Sequence, residues 1–278
     1  MTGIIDSGGG LRGIYGCGVL DRCLELGVKF DYAVGVSAGS ANIASFLAGQ
    51  KGRNYTFYHD YAFRSEYMGL QNLVRTGSFL GLDYIYGTLT NSDGENPLDN
   101  AAMQSSDTRF EIVATDAKTG KAVYFDKADM RPDDYAPLKA SCSIPVACPP
   151  YVINGVPYFD GGLSDPIPVD RALSNGCKKI IVILTKPVSE KPKQRTVGVA
   201  SAMLCGKYPM TAKSINTYKE RYLSSLALAR ELEGQGRALV LAPDSTEGLR
   251  TVTRDRVALH ILYRKGYHDA EKIADFFF

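Results

Sequence analysis

Several features that often reveal a function are scarce or missing in this chain. Its 278 residues include only three histidines, and none of its six cysteines forms a C-x-x-C pair. A structural zinc site or a redox motif therefore has little support. No apolar run approaches the roughly 18 residues that a membrane-spanning helix needs. The formal net charge of +2 and the lack of a long basic stripe argue against a nucleic-acid partner.

What remains is the composition of an ordinary globular protein. Apolar residues make up 45% and charged residues 22% of the chain, which is typical of soluble domains. The N-terminus has no basic start and reaches an acid at Asp6, so we expect no secretory signal there. The six cysteines are then expected to be free thiols in a reducing compartment. We predict a cytoplasmic location, with any membrane contact peripheral.

Strand and helix patterns alternate at the start of the chain. A buried strand over 3–5 precedes a helix over 11–26, and a second strand over 30–36 precedes a helix over 38–48. Such strand–helix units favour a parallel sheet covered by helices. We therefore predict an α/β fold with a mainly parallel central sheet flanked by helices. The stretch 51–107 shows no clean period, and we expect helices and loops there around a site.

Shorter strands follow. They are predicted over residues 110–114, 122–125, 151–153, 156–159, 179–184 and 238–241. Asp116–Gly120 and Asn154-Gly155 have the composition of hairpin turns. The basic, proline-rich segment 186–195 is the best linker candidate. It divides the chain into a larger domain, 1–185, and a C-terminal extension, 186–278, packed on it.

The most informative stretch is Gly35-Val36-Ser37-Ala38-Gly39. It has a serine between two glycines where the second strand ends and a helix of small residues begins. A G-x-S-x-G sequence at such a junction is typical of a nucleophile elbow, a turn so sharp that it lifts the serine Oγ clear of the backbone. The following helix would direct its free N–H groups and positive dipole end at the group under attack. Ser37 is the candidate nucleophile, and Gly35 and Gly39 support it.

A glycine run, Gly8-Gly9-Gly10-Leu11-Arg12-Gly13, lies between the first strand and the first helix. Two interpretations are open. The run fits G-x-G-x-x-G, a dinucleotide-binding fingerprint, but that motif needs an acid at the end of the second strand. The nearest acid, Asp31, lies at the beginning of that strand. The second interpretation is an oxyanion hole, in which amides of the run stabilise the charge that develops when Ser37 attacks a carbonyl.

A serine nucleophile needs a proton acceptor. The histidines are His59, His260 and His268. They are weak candidates because His260 lies in an apolar helix pattern and because the elbow follows only the second strand, unlike in α/β-hydrolases. Asp160 is the better candidate, since it ends a short strand and precedes Gly161 and Gly162, which allow close backbone approach. An ordinary Asp-Gly turn is the alternative.

With these elements in this order, the chain resembles the patatin-like phospholipases. The pattern of that family is a G-G-G-x-[RK]-G loop, then G-x-S-x-G, then D-G-[GA]. Here these are Gly8–Gly13, with Arg12 in the basic position, Gly35–Gly39 and Asp160–Gly162. The stretch Ala140–Pro150 is similar to the proline-containing segment that precedes the aspartate of the family.

The resemblance covers about residues 2–170 and implies a three-layer sandwich with the elbow after the second strand. It also implies a Ser–Asp dyad, in which Asp160 takes the proton of Ser37 directly and an acyl-enzyme is then hydrolysed. The implied oxyanion group comprises Gly8, Gly9, Gly10, Arg12 and Gly13. No cofactor and no metal are implied. Such a base needs its pKa raised by apolar surroundings. Candidates for these are Tyr158, Phe159 and Leu163.

We accordingly predict a hydrolase of carboxylic ester bonds in phospholipids or lysophospholipids. Two alternatives stay open: a nucleotide-binding module that uses the glycine run, and a patatin-like scaffold that binds lipid or a partner protein with little turnover. Arg12 could anchor the loop or meet a substrate phosphate. The aromatic residues of 55–86 are expected in the core or along an acyl groove. The terminal Phe276–Phe278 is expected to dock onto the domain rather than touch a lipid surface.

Overall fold

The computed structural model describes residues 1–190 and 195–277. Residues 191–194, which belong to the predicted linker, and Phe278 lie outside the described residues. Within the described ranges, eight strands form one sheet: β1 (Thr2–Asp6), β2 (Tyr32–Val36), β3 (Arg109–Asp116), β4 (Ala122–Asp126), β5 (Tyr151–Ile153), β6 (Val156–Asp160), β7 (Lys179–Ile183) and β8 (Ala238–Leu241). Their order is β5-β6-β3-β2-β1-β7-β8, and β4 pairs with β3 outside this path.

The middle of the sheet is parallel. β1 pairs with β2 and β7, β2 pairs with β3, and β7 pairs with β8, all in parallel. β4 and β6 run antiparallel to β3, and β5 runs antiparallel to β6, so the predicted turns at 116–120 and 154–155 do join hairpins. All five residues of β2 are buried, as expected for a parallel strand covered on both faces. The predicted α/β fold with a mainly parallel central sheet flanked by helices is confirmed.

Helices cover both faces of this sheet. They are α1 (Ile14–Glu25), α2 (Ala38–Leu47), α3 (Arg53–His59), α4 (Leu70–Thr76), α5 (Asn100–Ser105), α6 (Ala136–Ser141), α7 (Val169–Ser174), α8 (Arg195–Leu204), α9 (Pro209–Asn216), α10 (Tyr218–Gly234), α11 (Arg256–Asp269) and α12 (Lys272–Phe277). Successive residues of a strand point to opposite faces. Ile4 packs with side chains of α1, α2 and α11, whereas Ile5 packs with those of α7 and α10. The three layers follow from this alternation. In the described part, no helix combines the length and the apolar character needed to cross a bilayer.

One predicted helix is corrected by the structure. In the sequence, apolar residues recur at helical spacing from Ile215 to Leu232 and predict a single helix that ends at Gly234. In the structure, α9 ends at Asn216 and α10 begins at Tyr218 and ends at Gly234. Ile215 is buried in α9, so the apolar spacing continues across the break at Thr217. Periodicity alone therefore cannot detect a break this short.

The segment after residue 185 shares the sheet and the core. β8 pairs with β7, and α11 lies so close to α1 that a Cβ on Gly266 would overlap the backbone of Tyr15. At the end of the chain, Ile273 is buried and Phe277 packs on Phe30 with 6.0 Å between ring centroids. The predicted docking of the terminal helix is thus confirmed for these two residues. The division into two domains at residue 185 stays a prediction.

Candidate active site

Ser37 lies at the turn between β2 and α2. Its backbone has φ 55° and ψ −130°, a conformation that residues with side chains rarely adopt. A Cβ on Gly35 would lie 2.6 Å from the Ser40 nitrogen, and one on Gly39 would lie 2.7 Å from a carboxylate oxygen of Asp6. Because no side chain fits at either position, the two glycines allow the sharp turn that the G-x-S-x-G pattern predicts.

Asp160 ends β6, and the strand register brings it next to Ser37. β3 lies between β2 and β6: Val36 pairs with Val113, and Asp160 pairs with Ala114, the next residue along β3. Ser37 directly follows Val36, it lines a cavity together with Asp160, and its side chain lies close enough to lower the pKa of the Asp160 carboxylate. Two residues far apart in the sequence therefore meet at one point of the sheet.

Burial makes the Asp160 carboxylate a stronger base than that of an ordinary aspartate. Burial raises the pKa of Asp160 from 3.8 to about 6, although the Ser37 side chain and the hydrogen bond from the Gly162 N–H lower it. The Gly162 N–H donates to Oδ1 of Asp160 at 2.8 Å. A Cβ on Gly161 would lie 2.9 Å from that of Val113. The two glycines after Asp160 thus let the chain turn tightly beneath the carboxylate.

The apolar surroundings of Asp160 match the predicted ones only in part, because Leu163 lines a cavity with Asp160 whereas the rings of Tyr158 and Phe159 pack on other aromatic residues. Tyr158 packs edge-on against the ring of Phe125 at 5.1 Å, and Phe159 packs against Tyr208 at 5.5 Å. The apolar residues that line a cavity together with Asp160 include Ile144, Pro145 and Leu163. The loop before β5 and the turn after β6 therefore contribute to the burial of Asp160, whereas the aromatic residues of β6 pack elsewhere.

The glycine loop between β1 and α1 faces Ser37. Gly8, Gly9 and Gly10 have φ values of 65°, 129° and 61°, which glycine adopts readily. The Gly8 N–H donates to Oδ1 of Asp6 at 2.9 Å and is occupied. Among the described residues, the N–H groups of Gly9 and Gly10 have no protein acceptor. Both residues line a cavity with Ser37, so their amides are available to a ligand there.

The other two members of the predicted oxyanion group occupy different positions. The Gly13 carbonyl accepts a hydrogen bond from Asn42 at 2.9 Å, and a Cβ on Gly13 would lie 2.5 Å from the Tyr58 hydroxyl. Gly13 thus packs against α2 and α3. Arg12 lines the same cavity as Ser37, and its positive charge lowers the pKa values of Lys186 and Tyr218, which also line that cavity.

Three polar residues that the sequence patterns did not single out hold this arrangement together. Asp6 is fully buried and accepts hydrogen bonds from the Gly8 N–H and from Nδ2 of Asn42 at 3.0 Å. Its carboxylate therefore links the glycine loop to α2, and burial raises the pKa of Asp6 to about 6. The Ser141 hydroxyl accepts the Ser37 N–H at 2.8 Å. Asp6 could have been identified from the sequence, because it is an acid at the end of a buried strand and lies shortly before the glycine run.

Two cavities border Ser37. The smaller one measures about 50 Å³ and is mainly apolar, and the aromatic stretch 55–86 supplies much of its wall. Lining residues from that stretch include Phe57, Tyr58, Tyr67, Leu82, Ile85 and Tyr86. The larger cavity measures about 250 Å³ and contains Asp160 and the glycine loop. None of the three histidines, all of them described, lines either cavity.

The described residues do not form the ligand cluster of a metal site, nor do they place an acid where a bound dinucleotide would need one. Within residues 1–190 and 195–277, no three His, Cys, Asp or Glu side chains cluster as a metal site requires. Asp31 accepts the Thr2 N–H at 2.6 Å, just before β2. It therefore lies at the opposite end of β2 from Ser37 and from the glycine loop, where a ribose could not reach it.

Comparison with known proteins agrees with this geometry. A family model described as patatin-like phospholipase matches residues 7–173, more than half of the chain. The chain belongs to the patatin-like phospholipase family. The predicted family is confirmed, and the matched patatin-like region contains both Ser37 and Asp160. A second model, described as a domain of unknown function (DUF6363), matches residues 208–275.

Individual relatives of this patatin-like chain fall in two groups. It is 30% identical over 199 residues to the uncharacterized protein YjjU of Escherichia coli (strain K12), across 66% of this chain and 52% of YjjU. It is 24% identical over 185 residues to the lysophospholipase NTE1 of Yarrowia lipolytica (strain CLIB 122 / E 150), across 65% of this chain and 12% of NTE1. The chain thus spans about half the length of the first relative and a small part of the second.

One solved structure extends the similarity to the fold of the whole patatin-like chain. The crystal structure of VipD from Legionella pneumophila superimposes with a TM-score of 0.52 and 14% sequence identity, across 99% of this chain and 66% of VipD. At this identity the likeness concerns the fold alone.

Proposed function

We propose that this protein hydrolyses carboxylic ester bonds of lipids, with Ser37 as nucleophile and Asp160 as general base. The observation that carries the proposal is the pairing of a serine on a strained turn with a buried carboxylate. Burial raises the pKa of that carboxylate to about 6. A base with a pKa close to the working pH accepts a proton far better than an ordinary aspartate does.

The first half of the reaction forms an acyl-enzyme. Oγ of Ser37 attacks the ester carbonyl while its proton passes to the Asp160 carboxylate. The N–H groups of Gly9 and Gly10, which have no acceptor in the described part of the protein, donate to the oxyanion of the tetrahedral intermediate. Each such donor contributes about 3–4 kcal/mol to transition-state stabilisation. The intermediate then collapses, and the leaving alcohol takes the proton from Asp160.

The second half releases the acid. A water molecule gives its proton to Asp160 and attacks the acyl carbonyl, and the same amides stabilise the second oxyanion. When this intermediate collapses, the Ser37 oxygen leaves and recovers its proton from Asp160. Both halves use one carboxylate alternately as base and acid.

The shapes and linings of the two cavities support this substrate class. The mainly apolar cavity beside Ser37 suits an acyl chain, because its wall includes Phe57, Tyr67 and Leu82. The larger cavity on the Asp160 side leaves room for the alcohol part of the ester. The name of the relative NTE1, a lysophospholipase, agrees with phospholipids or lysophospholipids as substrates.

Labelling with a fluorophosphonate tests the nucleophile. We expect one adduct per wild-type chain in intact-protein mass spectrometry, mapped to Ser37 by peptide analysis, and no adduct in Ser37→Ala. An activated serine reacts with this probe, whereas ordinary serines do not. Ser65→Ala, which removes an exposed serine, is the control and should label like the wild type. A folded wild-type protein that forms no adduct would contradict the hydrolase.

The pH dependence tests the base. Because Asp160 must be deprotonated to accept the serine proton, kcat/KM for a neutral ester should rise about tenfold per pH unit below pH 6 and level off above it. Asp165→Asn is the matched control, since burial also raises the pKa of Asp165 to about 6 but its carboxylate accepts the Tyr124 hydroxyl. We expect an unchanged profile in that variant. Residual activity of Asp160→Asn with the same sigmoid would assign the titration to another group, such as Asp6.

A further inference from the structure

The larger cavity beside Ser37 is walled on one side by the C-terminal part of the chain. The residues that this part contributes are Lys186, Tyr218, Tyr222 and Thr251. Arg12 of the glycine loop lines the same cavity. The cavity of about 250 Å³ therefore combines the candidate catalytic residues with a polar wall that the patatin-like match over 7–173 does not include.

Arg12 has a buried group without a partner. Its Nε is shielded from solvent and has no hydrogen-bond acceptor among the described residues. Its guanidinium forms no ion pair with a carboxylate in the described part of the chain. A buried donor left unpaired is unfavourable, and an acceptor from a ligand would remove this penalty.

Lys186 is a second cation in the same cavity. Its ammonium group lies 4.0 Å from the centroid of the Tyr222 ring, and it forms no ion pair with any described carboxylate. Burial, and then repulsion from Arg12, lower the pKa of Lys186 to about 8, against a small opposing effect of Glu190. Two cations therefore lie near each other, and neither forms an ion pair with a described carboxylate.

The hydroxyl groups of this wall are neutral donors. Burial and the nearby Asp160 raise the pKa of Tyr218 to about 12, so its hydroxyl keeps its proton. Asp160 is the carboxylate that shares the cavity, and it lies on the side of Ser37. An anionic ligand is therefore favoured at the two cations and at the Tyr218 hydroxyl, and it is disfavoured where it approaches the Asp160 carboxylate.

We propose that Arg12 and Lys186 form an anion subsite for the phosphate group of the substrate head group, with a preference for a phosphomonoester. This proposal rests on the proposed function, because it orients a lipid ester with its acyl carbonyl at Ser37. A dianionic phosphomonoester compensates both cations, whereas a phosphocholine group brings a further cation into a cavity that already holds two. The C-terminal part of the chain would thereby select the head group.

Equilibrium binding to Ser37→Ala tests the subsite without turnover. The probes are lysophosphatidic acid and lysophosphatidylcholine of one short chain length, both used as monomers. We expect lysophosphatidic acid to bind at least tenfold more tightly, since charge-assisted hydrogen bonds to two cations are lost with a zwitterion. Adding Lys186→Gln should reduce this preference about tenfold. Lys213→Gln, which removes an exposed lysine of the C-terminal part, should leave it unchanged.

Competition with inorganic phosphate distinguishes the two possible ligands of the subsite, a lipid head group and free phosphate. Displacement of lysophosphatidic acid by phosphate, weakened in Lys186→Gln, would assign the subsite to free phosphate as well as to a head group. Failure of phosphate to displace the lipid would assign it to a head group anchored by its acyl chain. Equal affinity for both lipids in Ser37→Ala, with thermal unfolding confirming that the protein is folded, would overturn the subsite.

The same measurements distinguish the two proposals. A head-group preference in Ser37→Ala, together with no fluorophosphonate adduct on the wild type, would refute the proposed hydrolase activity and support the anion subsite. An adduct at Ser37 without a head-group preference would support the hydrolase activity and refute the anion subsite.

Discussion

Replacing Asp160 by asparagine is expected to lower kcat for a neutral ester by about 10²- to 10⁴-fold, because general-base catalysis contributes this much. Asparagine keeps the shape of the side chain and still accepts the Gly162 N–H, which bonds to Oδ1 at 2.8 Å. Steady-state kinetics with saturating substrate measure the loss. Binding of the same ester to the variant should change far less than its turnover, because the base acts on the serine proton.

The same variant should gain stability, which separates loss of the base from loss of the fold. The native Asp160 carboxyl holds its proton up to a pKa of about 6, whereas 3.8 is its ordinary value. The native state therefore binds more protons between these values, and its stability falls as the pH rises through that window. Above it, the buried charge costs about 3 kcal/mol. Urea unfolding at about pH 7.5 should thus favour Asp160→Asn, and the difference should disappear below about pH 4.

Asp165→Asn provides the matched control for this prediction. It removes a carboxylate with a similarly raised pKa of about 6 that lines neither cavity at Ser37, so turnover should stay within about twofold of the parent. Near-normal hydrolysis by Asp160→Asn would refute the direct Ser–Asp mechanism, whatever its stability.

Replacing Gly35 by alanine is expected to destabilise the protein by about 3–5 kcal/mol. The added methyl group would lie 2.6 Å from the Ser40 nitrogen and would overlap its Cα, both of which are backbone atoms of α2. The first turn of α2 would have to move away from β2. The strained turn at Ser37 would relax with it. Urea unfolding measures the loss of stability, and fluorophosphonate labelling of the fraction that folds measures the loss of the turn.

Gly234→Ala serves as the comparison for this substitution. Gly234 ends α10, and an added Cβ there has no atom within 4 Å. Alanine favours helix over glycine by up to about 1 kcal/mol, so this variant should be unchanged or slightly more stable. Equal stability of Gly35→Ala and the parent would show that the contact between β2 and α2 adapts to a side chain.

Local features of the fold and site were predictable from short stretches of sequence. The elbow at Ser37 follows from the steric demands of five consecutive residues, and the hairpin turn at Asn154-Gly155 follows from two. The parallel sheet was likewise predictable, because each strand and helix pattern lies within a short stretch of consecutive residues. The break between α9 and α10 at Thr217 was not predictable, because the buried Ile215 continues the apolar spacing across it.

Contacts between residues far apart in the sequence were predictable only where the family pattern indicates them. The sequence indicates Asp160 as the proton acceptor of Ser37, because Gly161 and Gly162 follow it and because the order of the motifs resembles that of the family. Its neighbours in space were predicted less well: Tyr158 and Phe159 pack on Phe125 and Tyr208 instead. Chain proximity does not determine which side chains exclude water from a carboxylate.

The sequence by itself determined the sharp turn at Ser37, because the steric demand at Gly35 comes from Ser40, five residues further along the chain. The demand at Gly39 comes from Asp6 of β1 and is tertiary. Only the tertiary structure decided what this geometry faces. The register of β3 brings Asp160 to Ser37, burial raises its pKa, and the packing of the C-terminal part brings Lys186 near Arg12. Proximity, burial and charge compensation depend on residues far apart in the chain, so no local pattern encodes them.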